Sequence, residues 1–217
     1  MAIAFNSPSG GTSGSNNTSS TSLTYAFNNV AGSYVTVGVF NVVADGTPTV
    51  TYAGTSMTQI ATVNFTATRK LTVFGLSSPA TGSNNVVITQ TGTTFLYSTA
   101  MSHSGTNTTG QPDSFNTASG SGTTLACTTT VVSSNCWLVG YAVGDNGNNP
   151  GAGANTLLRT VIGTDKFIGG LDSNTTVGTG SQTLNFTMSV SQNIGAIVFS
   201  IKPVAASTSN SNFFNFM

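Results

Sequence analysis

The sequence predicts an all-β chain, an antiparallel two-sheet β-sandwich of jelly-roll-like type, and three observations carry that expectation. Only 5% of the 217 residues are charged and glutamate is absent, where an ordinary domain carries about a quarter charged residues. Long surface helices need Lys, Glu, Gln and Arg on their wet face, and these are scarce here. The remainder is instead rich in Thr, Ser, Asn and Gly; Thr is β-branched and fits a pleated, half-buried surface, while the others supply turns. Finally, strand-like runs start roughly every 8–14 residues with no helical period between them, the rhythm of a sandwich and not of βαβ units.

The elements follow in order. Residues 1–20 read as a flexible N-terminal arm, Ser/Gly/Asn/Thr-rich beyond Asn6. The sandwich domain spans 21–204, with strands expected at 23–27, 34–43, 47–52, 56–63, 70–76, 86–90, 95–102, 123–131, 136–143, 155–161, 166–171, 182–190 and 194–202. The run at 34–43 is long and Val-rich, hence central; Val35, Val37 and Val39 share one face, Thr36, Gly38 and Phe40 the other. Leu184, Phe186, Met188 and Val190 form a second alternating face. Between 47–52 and 56–63, Ala53-Gly54 is the tight-turn signal, because Gly tolerates positive φ. Residues 205–217 form a polar tail ending in a Phe cluster. No strict internal repeat supports a propeller or solenoid.

Composition narrows the function classes. Five basic residues balance five acidic ones, for zero net charge, so the basic patch that reads nucleic acid is missing; Arg69-Lys70 is the only adjacent basic pair and reads as solvated surface. No apolar stretch reaches the eighteen or so residues of a membrane helix, and the first residues show no export signal. Near-zero charge favours association over a free monomer. Cys127 and Cys136 are the only cysteines; their spacing is compatible with a hairpin disulfide or with two buried thiols.

Several segments in order resemble a widespread β-sandwich module. They are Pro48-Thr49-Val50-Thr51-Tyr52-Ala53-Gly54-Thr55-Ser56-Met57-Thr58 after the hydrophobic run Val35–Val43, Leu71-Thr72-Val73-Phe74-Gly75-Leu76, and Pro79-Ala80-Thr81-Gly82-Ser83-Asn84. Ala100-Met101-Ser102-His103-Ser104-Gly105-Thr106-Asn107-Thr108, Gly151-Ala152-Gly153 and Gly195-Ala196-Ile197-Val198-Phe199-Ser200-Ile201-Lys202-Pro203 follow. The resemblance implies a jelly-roll or concanavalin-like sandwich, as found in bacterial surface or secreted multi-domain proteins and in phage structural proteins. It brings no catalytic residues. A lone module without an export signal points to the phage setting.

Candidate chemistry is sparse. Ser102-His103-Ser104 with Asp113 could be cast as a hydrolase constellation, but the Gly-x-Ser-x-Gly elbow is missing and Ser is everywhere. Asp145-Asn146-Gly147-Asn148-Asn149 offers oxygens for calcium, yet only one carboxylate, so a plain loop is the simpler reading. Trp137, inside Cys136-Trp137-Leu138-Val139, reads as core and not as a sugar platform. Asn17, Asn64, Asn107, Asn174 and Asn185 match the glycosylation pattern, as expected by chance in a chain so rich in Asn and Thr. No metal, cofactor or catalytic residue is therefore assigned.

The expected function is a non-enzymatic virion structural protein, a bacteriophage capsid decoration or head-fibre protein, acting with other virion proteins or copies of itself. The alternative is a carbohydrate-binding or adhesin-like module of a bacterial surface protein. Partner-interface residues are Phe213, Phe214, Phe216 and Met217 in the tail. Burying each aromatic is worth about 1.5–3 kcal/mol, so the cluster is expected to dock, on a neighbouring subunit or back on its own sandwich.

Overall fold

The computed structural model describes residues 1–6, 13–15, 18–30, 34–42, 46–146, 149–162 and 168–205. Among them there is no helix, and every sheet pairing is antiparallel. The strands are β1 (Ala4–Phe5), β2 (Ser13–Ser15), β3 (Ser20–Asn29), β4 (Tyr34–Asn41), β5 (Pro48–Tyr52), β6 (Thr55–Ser56), β7 (Thr58–Asn64) and β8 (Lys70–Ser77). They continue as β9 (Gly82–Thr94), β10 (Leu96–Ser104), β11 (Ser114–Val131), β12 (Trp137–Gly144), β13 (Gly151–Ala152), β14 (Leu157–Val161), β15 (Ile168–Asp172) and β16 (Gly180–Ile201).

The expected antiparallel sandwich is what the chain forms, but with three sheets where two were expected. The central sheet runs β1-β10-β4-β8-β7, with β2 also on β10; an outer sheet runs β3-β9-β5-β6; the third runs β11-β16-β12-β15-β14, with β13 on β16. Sequence order explains the layering. Val35, Val37 and Val39 of β4 pack with Leu23, Val50, Val86 and Ile88 of the outer sheet. The opposite face of β4 meets the third sheet, where Thr36 Oγ1 lies 2.9 Å from the buried Tyr141 hydroxyl. All eight residues of β4 are buried. Gly38 makes this possible, because a Cβ there would lie 2.4 Å from the Tyr141 ring.

The third sheet folds over itself. β16 pairs with β11 along both halves, with a register shift between Gly122 and Thr124, and Asn116 Nδ2 donates to the Thr128 carbonyl at 2.7 Å to join the halves of β11. Leu184, Phe186 and Met188 thereby close on Leu138, Ala142, Ala196 and Val198 in a third core. Bulges bend strands in this way. The two strands expected at 182–190 and 194–202 are thus one bent strand, and Val190, expected on the apolar face, is exposed at the bend. β16 also lies between β11 and β12.

The Ala53-Gly54 turn is as the sequence implies: Tyr52 faces Thr55 across it, and both turn residues have positive φ, 50° and 78°. The N-terminal segment differs from the expected free arm. β1 and β2 pair with β10, Ile3 is buried in the core between the central and third sheets, and Phe5 packs against it. These two apolar residues give the polar segment its hold. Trp137 is in the same core, as expected. The tail from Ala206 onward, with Phe213, Phe214, Phe216 and Met217, lies outside the described residues.

Candidate functional site

His103 does not meet Asp113. Its Nε2 lies 3.1 Å from Asp172 Oδ2, both side chains fully buried, and Arg159 Nε donates to the same oxygen at 2.8 Å. Asn174 N–H donates to Asp172 Oδ1 at 2.9 Å. Phe5 lies edge-on to His103 and beneath the Arg159 guanidinium, 4.6 Å from its centroid. Burial pushes the Asp172 carboxyl up, but hydrogen bonds and charge from His103 and Arg159 outweigh it, leaving the carboxyl below its ordinary range.

Neighbouring side chains on a strand point to opposite faces, so Ser102 turns away from His103; its hydroxyl donates to Asn29 Oδ1 at 2.7 Å. The hydrolase constellation does not assemble, since it needs the serine on the histidine's other nitrogen. Asp113 instead organises a turn, accepting from Val132 N–H, Ser133 N–H and the Ser133 hydroxyl at 2.6–2.9 Å. Burial raises its carboxyl, the Ser133 hydroxyl and the backbone donors lower it more, and the net shift is downward. Cys127 and Cys136 are free and buried, with burial pushing both thiols up to about 11.

A second cluster is open to solvent. The loop after β7 carries Thr66, Thr68 and Arg69, and Thr68 N–H donates to Thr66 Oγ1 at 3.3 Å. Phe65, beneath it, packs on Gly195, where a Cβ would meet the ring at 2.7 Å. Facing this loop, Asp145 at the end of β12 accepts from Asn193 N–H at 3.0 Å and from Asn193 Nδ2 at 2.6 Å. Arg69 donates to the Asp145 carbonyl and sits 3.9 Å from its Oδ2. Gln192 is 5% exposed; its Oε1 accepts Asn146 N–H at 2.8 Å, while its Nε2 has no partner among the described residues. Gly144 allows the amide to lie flat against the backbone, since a Cβ there would be 2.6 Å from Nε2. Together these groups and Ser121 line a polar groove of about 500 Å³.

No family model matches the chain. Nor does it show significant similarity to a curated protein or a solved structure. The module resemblance accordingly rests on its motifs alone.

The Asp145 loop is a meeting of donors, not of oxygens. Asn193 donates one N–H to each carboxylate oxygen and the Arg69 guanidinium stands 3.9 Å from one of them, so a cation would face positive charge and hydrogens. Gly147 and Asn148 of the proposed calcium loop lie outside the described residues. Arg69-Lys70, expected to be solvated, is tied in: Arg69 to Asp145, and Lys70 Nζ to the Gly46 carbonyl. Gln192 and Asn193 were missed by sequence reasoning. Their only signal was a polar break, Ser191-Gln192-Asn193, between two apolar runs.

Proposed function

We propose that the chain is a non-enzymatic structural protein of a virion, of the bacteriophage capsid-decoration or head-fibre kind. One observation carries this reading. β3, β7 and β11, each outermost in its sheet, contain neither a charged residue nor a proline. Freely diffusing β proteins blunt long edges with Lys, Pro or inward charge, because unpaired backbone groups invite another strand. The three edges carry register shifts but no charge or proline, and edges guarded by so few devices suit a protein whose edges are covered by neighbours. Zero net charge favours the same outcome, and exposed Phe115 on β11 adds an apolar contact.

Sedimentation velocity of the full chain tests it, beside a variant carrying Phe115→Lys and Thr128→Lys on exposed β11 positions. The wild type is expected above the 21.9 kDa monomer mass, and the variant at it. A wild type monomeric at every concentration, from a gene with no capsid or terminase genes nearby, would overturn the proposal.

A second reading, a carbohydrate-binding or adhesin-like module, is favoured by the polar groove at Asp145 and Gln192.

A further inference from the structure

We propose that the groove between the loop after β7 and the β16 bend binds a neutral sugar. The inference rests on the second, glycan-binding reading and names its site. At about 500 Å³ the groove is within the range of small-ligand sites. Its charges cancel, because Arg69 and Asp145 face each other. An anionic ligand would meet the carboxylate and a cationic one the guanidinium, so an uncharged ligand fits best.

The remaining groups are those that recognise hydroxyls. A carboxylate has about four acceptor positions, and the hydrogen bonds from Asn193 occupy one on each Asp145 oxygen, leaving each able to accept a sugar O–H. Thr68 and Ser121, both hydroxyl-bearing, are also in the lining. The decisive group is Gln192: a nearly buried amide whose Nε2 is closed off in the present pose and has no acceptor among the described residues. Buried donors without acceptors are unfavourable and rare, and a rotation of the amide toward the groove brings Nε2 within reach of a ligand hydroxyl oxygen, the missing acceptor.

The test is an NMR titration of the full ¹⁵N-labelled chain with maltose, cellobiose, lactose and N,N′-diacetylchitobiose, alongside inorganic phosphate. Saturable shifts of the Gln192 side-chain amide and the Ser121 and Asn193 backbone amides are expected with at least one sugar. Ser121→Trp, a substitution at an exposed position on the groove wall, should weaken that binding at least tenfold without changing Tm. No saturable shift with any sugar, binding unaffected by Ser121→Trp, or saturation by phosphate alone would each overturn the proposal. A glycan array on the same protein separates the two levels. Array binding with a silent groove rejects this site and keeps the glycan reading; no array binding and a silent groove reject both.

Discussion

At the residue scale, the buried Asp172 is the most consequential side chain. It is the shared acceptor of His103 and Arg159, and removing one partner from a buried ion pair costs about 3–5 kcal/mol, because the other charge is stranded. Asp172→Asn is expected to lose stability in that range by urea denaturation. The pH dependence has a definite sign. The folded carboxyl is lowered, so its contribution is complete above the unfolded carboxylate value of about 3.9 and is lost as pH falls through the folded value. The variant should therefore lose less stability than the wild type on acidification below about pH 4. The sequence singled out His103 yet could not find its partner. Asp113 was near in sequence, whereas Asp172 is brought across from another sheet by packing that no local pattern encodes.

At the element scale, what was legible follows from where side chains are buried. β4 reads correctly because Val35, Val37 and Val39 alternate with Thr36, Gly38 and Phe40, and both faces are indeed buried. The first half of β11 was unreadable: Ser114 to Gly122 is held by backbone pairing to β16 with little apolar burial, so it carries no period-two signal. β2 (Ser13–Ser15) escaped for the same reason, and β1, only two residues long, is too short to show a period. The two-sided burial of β4 yields a prediction at Gly38. Gly38→Ala drives a methyl group against Tyr141 and Ile168, and overpacking of this kind costs about 1–3 kcal/mol. Gly178→Ala is the control, with only Gln182 Nε2 nearby at 3.8 Å; its effect should be within about 0.5 kcal/mol. Thermal denaturation of the pair checks both.

At the scale of the whole molecule, the three stacked sheets share cores through the central one, and composition alone could not reveal a third layer, because both outer sheets have the same Thr-rich exposed faces. The tail tests how the molecule meets its surroundings. Deletion of residues 210–217 removes Phe213, Phe214, Phe216 and Met217; if they dock on a neighbour, Tm is unchanged while incorporation into the assembly is lost. A truncated chain that assembles normally refutes docking on a neighbour, and a lowered Tm assigns the cluster to its own sandwich. The position of β16 has a consequence during synthesis. β16 fills the gap between β11 and β12, so until Gly180–Ile201 has emerged from the ribosome the third sheet has no centre. Until then the apolar residues of β12 have only part of their cover. The nascent chain carries the uncharged, apolar β12 partly uncovered until β16 arrives, and translation stalled before that point leaves a product poised to pair with its neighbours.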